Sequence, residues 1–217
     1  MRSILVIGLG RFGQHLTTSL IELGNEVMVI DRREEAVNKM AAIATSAQIG
    51  DCSDPVVLKD LGVNAFDVCF VCISTELESS LVITSLLKDM GAKKVVTKVS
   101  KDIHVKFLLQ NGADDVIYPD RDMARRTALK YSAKNAFDYI ELNEDYGIFE
   151  ILPPKTWLGH TIKEVDVRRR YQVNIIAYKD HDRISPLDRE VYTFKEDEHL
   201  IVAGDRQHFK MLVAKKL

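Results

Sequence analysis

The sequence predicts an α/β fold: a doubly wound parallel sheet followed by a crossover helix and a small α+β lobe. Three observations carry this reading. Short β-branched runs alternate with longer amphipathic stretches over the first part of the chain, a glycine-rich turn follows the first of those runs, and the pattern changes beyond residue 134.

The strand candidates are Ile4 to Ile7, Val27 to Ile30, Ala47 to Ile49, Val68 to Ile73, Val95 to Val99 and Asp115 to Tyr118. Each is short and rich in Val or Ile, as strands covered on both faces are. Between them Gly10 to Leu23, Glu34 to Ala44, Pro55 to Leu61, Leu77 to Met90 and Lys101 to Gln110 read as helices, several stopped by a glycine such as Gly62. Six strand–helix units therefore follow one another. A helix from about Asp122 to Lys134 then breaks the rhythm with a mixed composition suited to bridging two bodies. The remainder carries strand-like pieces at Tyr139 to Leu142, Ile148 to Leu152, Val173 to Tyr178 and His199 to Val202, with helices near Thr161 to Val165 and Arg206 to Val213. Pro153-Pro154 and Lys179-Asp180-His181-Asp182 read as turns. The expected partition is residues 1–134, a nucleotide-binding domain with its crossover helix, and 135–217, a lobe too small for a large core of its own and suited to sharing its apolar face with the first domain or a second copy.

Composition limits the function. Among 217 residues, Lys+Arg 30 against Asp+Glu 32 leaves a formal charge of -2 with the signs interspersed. A dedicated nucleic-acid binder concentrates positive charge instead, so nucleic acid is not an expected partner. No apolar window approaches the length that crosses a bilayer, and no signal peptide is read at the start. Three cysteines do not make a disulfide framework, which favours a reducing compartment, the cytoplasm.

Gly8-Leu9-Gly10-Arg11-Phe12-Gly13 stands between the first strand and the first helix, the context in which this pattern becomes a dinucleotide-type phosphate turn, the mark of a Rossmann-like domain. Gly8 permits the tight turn, Gly10 lets phosphates approach backbone N–H groups, and Gly13 lets helix and strand pack closely. Asp31 ends the second strand 23 residues after Gly8, where a carboxylate accepts from ribose hydroxyls and repels a 2′-phosphate; the alternative is a helix N-cap. Arg11 inside the turn and Lys98 at the end of a later strand add positive charge that suits ADP or ATP better than a dinucleotide, unless Lys98 pairs with a surface carboxylate. Asp51 and Cys52, and Ser74 and Thr75, stand after the third and fourth strands, placed to line adenine and ribose. Phe12 and Ile73 complete the candidate set. Asp120 either holds Mg²⁺ on phosphate oxygens or caps a helix.

Other constellations point elsewhere. Cys69 and Cys72 lie three apart on a strand and face opposite sides, so they do not chelate one metal. The histidines at 15, 104, 160, 181, 199 and 208 show no ligand spacing, and Arg168-Arg169-Arg170 reads as a solvated basic face or, alternatively, a receiver of a second anionic ligand. A small NAD(H)-dependent oxidoreductase is the rival reading; it needs an acid–base pair over the nicotinamide, and no Tyr-x-x-x-Lys is present. A nucleotide-responsive transcription factor is disfavoured by near-neutral charge and the lack of a basic recognition helix.

The ordered series Val6-Ile7-Gly8-Leu9-Gly10-Arg11-Phe12-Gly13, Val29-Ile30-Asp31, Gly50-Asp51, Gly112-Ala113-Asp114 and Tyr118-Pro119-Asp120-Arg121-Asp122-Met123, with Asp166-Val167-Arg168 through Tyr171 and Val173-Asn174-Ile175 in the tail, resembles a known family over essentially the full chain. It is that of the cytosolic regulatory subunits of Ktr- and Trk-type bacterial potassium uptake systems, the KTN or RCK proteins. One RCK copy rather than two in tandem points to the Ktr-like form. The resemblance implies a non-enzymatic gating subunit whose homodimers assemble into a ring, an octamer, on an integral-membrane K⁺ channel subunit, so that the protein is cytoplasmic and peripheral to the inner face of the membrane. It implies ATP or ADP as ligand, NAD(H) in Trk-like relatives, with Arg11 and Lys98 on phosphates, Asp31 on ribose and Asp120 at a metal-assisted phosphate or a dimer contact. Asp120 stands where Ktr-like members are expected to carry Glu, which shortens its reach to a cation, and Cys52 replaces a small or hydroxyl residue. Some relatives bind cyclic di-AMP between C-terminal lobes; the corresponding positions are Ile162, Arg168, Asn174, Ile175 and Pro186.

Overall fold

A computed structural model describes residues 1–73, 76–132, 136–143, 145–181, 183–187 and 192–214. The chain divides into two compact units, Met1–Asp120 and Arg121–Leu217.

The first unit alternates β1 (Ser3–Ile7), α1 (Arg11–Glu22), β2 (Glu26–Asp31), α2 (Glu34–Ala41), β3 (Ser46–Ile49), α3 (Pro55–Leu61), β4 (Val68–Val71), α4 (Leu77–Asp89), β5 (Val95–Lys98), α5 (Asp102–Gln110) and β6 (Asp115–Ile117). All six strands are parallel in the order β3-β2-β1-β4-β5-β6. The order reverses between β1 and β4, and in open sheets of this kind the crevice beyond the strand ends at that reversal is where ligands bind. Register places Ile7 beside Ile30 on one side and Val71 on the other, so three strand ends meet at the first glycine.

Alternation along the strands fills two cores. Leu5, Ile7, Val71 and Val95 pack on one face with Ile83 and Leu87 of α4, while Ile4, Val6, Val27 and Val29 pack on the other with Val37 and Met40 of α2. Cys69 belongs to the first core and Cys72 to the second, as the spacing of three requires. Both are free and buried. Local signals start and stop the helices. Asp54 accepts from Val56 N–H at 2.9 Å and Pro55 takes the first helical position of α3, which ends at Gly62 in the left-handed region, φ +62°. Two residues after Gly112, φ +105°, Asp114 accepts from Lys88 Nζ at 3.0 Å and from Val95 N–H at 2.6 Å and so fixes the start of β5.

Helix α6 (Pro119–Ser132) begins three residues earlier than its composition suggests because Pro119 is suited to a first turn. The second unit contains β7 (Ala136–Glu141), β8 (Tyr146–Ile151), α7 (Ile162–Val165), α8 (Val167–Tyr171), β9 (Val173–Asp180), β10 (Arg183–Pro186), β11 (His199–Asp205) and α9 (Arg206–Ala214). Its strands form an antiparallel sheet, β10-β9-β11-β8-β7, with a bulge between Ile201 and Val202. One face carries a core of Trp157, Phe194, Ile151, Val173 and Leu200, on which Phe209 of α9 stacks against Phe149 at 3.6 Å between ring centres. Thr161 and Glu164 form a reciprocal cap at the start of α7.

Among the described residues no helix is long and apolar enough to cross a membrane.

Candidate functional site

A cleft of about 250 Å³ opens at the strand-order reversal, formed by the ends of β1, β2, β3 and β4 and the start of α4. Six of the residues expected from the sequence line it: Gly8, Gly10, Asp31, Asp51, Cys52 and Ile73. Arg11, Phe12, Gly13, Lys98 and Asp120 do not, and Ser74 and Thr75 lie outside the described residues.

The three glycines have different physical reasons. Gly8 sits at φ +95°, and a Cβ there would meet Ile73 Cγ1 at 2.9 Å. A Cβ on Gly13 would stand 2.0 Å from the Gly8 carbonyl oxygen, so α1 can lie against the turn only without a side chain. Gly10 is otherwise. Its backbone is extended, φ −67° and ψ −178°, and a Cβ on it would meet no protein atom within 4 Å. Neither backbone nor packing asks for glycine at position 10.

The turn is held from both sides. Gly8 N–H donates to Ile30 O at 2.8 Å, Cys72 N–H donates to Ile7 O at 2.7 Å, and Gln14 Nε2 donates to Leu9 O at 2.8 Å. Leu9 N–H donates to Asp31 Oδ2 at 2.6 Å, which ties the turn to the end of β2. Helix α1 opens on this turn without a side-chain cap and without an acidic residue in its first turn, and its first residue is Arg11. By contrast α2 begins Glu34-Glu35 and α5 begins with Asp102. The partial positive charge at the start of α1 is thus left uncompensated within its own first turn.

Asp31 is 8% exposed and accepts four hydrogen bonds. Besides Leu9 N–H, Oδ1 accepts from Arg33 N–H at 2.8 Å and Arg33 Nε at 3.0 Å, and Oδ2 accepts from Arg33 Nη2 at 3.0 Å. Burial alone would raise this carboxyl, but the Arg33 side chain, the Arg33 and Leu9 N–H groups and the guanidinium charge outweigh it and hold it below the usual carboxylate range. Arg33, not Asp31, is the N-cap residue of α2, so the capping alternative for Asp31 falls away. Across the cleft Arg32 Nη2 meets Glu76 Oε1 at 3.1 Å, and Ser79 Oγ donates to Glu76 Oε2 at 3.0 Å. Asp51 accepts from Ser53 N–H at 2.9 Å, which lowers its carboxyl. Burial pushes the Cys52 and Cys72 thiols up to about 12.

Arg11 is exposed in the first turn of α1. Lys98 leaves the end of β5 with its ammonium 5.6 Å from the centre of the Phe12 ring, a cation–π distance that brings it beside the glycine turn. Asp120 is exposed in the first turn of α6, and among the described residues no cluster of His, Cys, Asp or Glu is arranged to hold a metal. In the second unit, Ile175 is buried in the core while Asn174 alternates to the other sheet face; Ile162 opens α7, Arg168 is exposed on α8, and Pro186 pairs with Ala177 at the sheet edge.

Sequence reasoning missed Arg32, Arg33, Glu76 and Ser79 as cleft residues. The two arginines directly follow Asp31, which was signal enough to consider them. Glu76 and Ser79 reach the cleft only because β4 lies beside β1, which spacing along the chain does not disclose.

Comparison with known proteins agrees with this architecture. The TrkA-N domain model matches residues 4–119 and the TrkA-C domain model residues 147–216. The chain is 40% identical to Ktr system potassium uptake protein C of Bacillus subtilis (strain 168), over 94% of this chain and 92% of that one. It is 33% identical to Ktr system potassium uptake protein A of the same organism, over 96% and 94%. In fold it is similar to the GsuK channel bound to NAD, TM-score 0.70 at 19% identity, covering 98% of this chain and 40% of that one. GsuK bound to ADP matches with TM-score 0.53 at 17% identity, over 60% of this chain and 35% of that one. With a six-stranded parallel unit, an antiparallel lobe and both domain signatures in order, the chain belongs to the Ktr and Trk family of potassium uptake regulatory proteins, built from one TrkA-N and one TrkA-C domain.

Proposed function

We propose that the protein is a cytosolic gating subunit: it binds an adenine nucleotide, ATP or ADP, in the cleft at the strand-order reversal and controls a membrane potassium channel or transporter subunit without chemical turnover. The observation that carries the ligand assignment is Gly10. The fold does not need glycine there, since an alanine would meet nothing and adopt the same backbone. A phosphate pressed against the Gly10 backbone would need it. The uncompensated start of α1 supplies partial positive charge to that anion, with Arg11 and Lys98 as additional cations. Asp31, carried on the neighbouring strand end, supplies a ribose acceptor.

The titratable groups of the cleft favour binding over catalysis. Asp31, Asp51 and Glu76 are held below the usual carboxylate range, and the Cys52 and Cys72 thiols are pushed up to about 12. None of these five groups is shifted toward neutrality, where general acid–base groups work best. The relatives named for potassium uptake, and the fold shared with GsuK structures bound to NAD and to ADP, support a regulatory reading in which occupancy selects between conformations. Such selection requires a ligand that grips the conformations unequally. In this reading homodimers assemble into an octameric ring on the channel subunit.

Isothermal titration of ATP, ADP, NADH and cyclic di-AMP into one preparation, with light scattering before and after, tests the reading. The expected result is binding of ATP and ADP with unequal affinity and a ligand-dependent change in scattering. Binding of NADH alone, with turnover of a nicotinamide substrate, would replace it with the oxidoreductase reading. A cyclic di-AMP signal retained when the cleft is blocked by Gly10→Ala would place a second ligand on the C-terminal lobe.

A further inference from the structure

Arg33 has no part in holding a phosphate or a base in the reading above, yet it makes three of the four hydrogen bonds on the one carboxylate assigned to ribose. A carboxylate offers about four acceptor positions. Those of Asp31 are taken by Leu9 N–H, Arg33 N–H, Arg33 Nε and Arg33 Nη2, so an arriving ribose diol meets an acceptor already filled. Two of these donors are backbone groups that persist whatever the side chain does. The other two belong to a guanidinium whose side chain is 59% exposed, against 7% for Asp31. The fork can therefore leave into solvent without uncovering any core. Arg32 does not stand in for it, because its guanidinium reaches away to Glu76.

We infer that Arg33 is a specificity-determining residue of the cleft, a competitor of the ligand's ribose diol for Asp31. This rests on the nucleotide reading and adds to it. A bound nucleotide gains its bonds to Asp31 only by giving up the bidentate Arg33–Asp31 pair, and paired forks are among the stronger polar contacts. The wild-type protein thus reads the diol weakly and chooses its ligand mainly by phosphate. Removal of the fork unmasks Asp31.

The test is calorimetric titration of ADP and 2′,3′-dideoxy-ADP into the full-length wild-type protein and Arg33→Leu, with Arg33→Gln as a polar second variant should the first fold poorly. In the wild type the two nucleotides should bind within about threefold of each other. In the variants ADP should bind about tenfold tighter than in the wild type while the dideoxy analogue is unchanged. The unliganded variants should also melt lower, since Asp31 keeps its burial and loses its ion pair. A merely structural Arg33 would lower the melting temperature and weaken both nucleotides together, which overturns the inference. So would equal ADP affinity in wild type and variants, or a wild-type preference for NADP that Arg33→Leu abolishes, which would make Arg33 a 2′-phosphate receptor. ADP bound equally by all the proteins sinks this inference alone; ADP bound by none sinks the nucleotide reading and this inference with it.

Discussion

Alanine placed at Gly10 and at Gly13 separates a glycine required by the fold from one that the proposed ligand would require. At Gly13 the new methyl would stand 2.0 Å from the Gly8 oxygen and 3.1 Å from the Gly8 carbonyl carbon. Both are backbone atoms, so the methyl has no flexible neighbour to push aside, and the helix or the turn must move. Overpacking of this kind costs about 1–3 kcal/mol, and the closeness of the contact argues for the upper end. For a chain of this size each kcal/mol is roughly 2–4 °C, which gives a fall of about 6–12 °C in melting temperature. At Gly10 the terms nearly cancel. Alanine is about 0.5–1 kcal/mol worse than glycine at an N-cap, while the reduced freedom of the unfolded chain returns about 0.4–1 kcal/mol. The melting temperature of Gly10→Ala should therefore stay within roughly 4 °C of wild type. Its nucleotide affinity should fall about tenfold or more, because the methyl occupies the space a phosphate would use. Scanning calorimetry and titration with ADP on the same preparations read both quantities. Gly10→Ala that melts as low as Gly13→Ala, or that keeps wild-type affinity, would refute the division of roles.

Two further outcomes follow from buried polar groups. Asp31 has its carboxyl depressed in the folded protein, so its stabilising contribution is complete above the unfolded value, near pH 4, and is lost as pH falls through the lower folded value. Asp31→Asn should be less stable than wild type at pH 7, with the deficit shrinking below about pH 4 when urea unfolding is measured across that range. Thr84 on α4 and Thr97 on β5 are fully buried with their hydroxyl oxygens 3.0 Å apart. Thr97→Val should cost about 1–3 kcal/mol by orphaning Thr84, and the double valine should recover part of that loss in a double-mutant cycle.

The parallel sheet was legible because a strand covered on both faces must be apolar throughout, and Ile4 to Ile7 and Val27 to Ile30 are. Asp31 was legible by its distance from the glycine turn, since the length of one strand–helix unit is set by geometry. The second unit resisted where its elements are short and polar. Helix α8 hides within Arg168-Arg169-Arg170, bounded by Asp166 and Gln172 in the left-handed region at φ 51° and 59°, a conformation no sequence pattern advertises for those residue types. Strand β10 carries Pro186 and exposed side chains, acceptable because it is an edge strand. Gly112-Ala113-Asp114 was recognisable as a family mark, but its physical reason, the Lys88 and Val95 donors on Asp114, appears only when α4 and β5 are folded together. The cleft was half visible for the same reason. Residues next to a known motif can be guessed, whereas Glu76 and Ser79 arrive from the start of α4, which follows the strand added on the far side of β1.

The bond from Leu9 N–H to Asp31 makes the carboxylate proposed for ribose a rivet of the turn as well. Anyone retooling position 31 for another sugar, by trading the acid for a neutral or basic side chain, would unfasten the glycine bend in the same stroke. Specificity engineering in this chain is better begun at Arg33, whose replacement leaves that rivet in place.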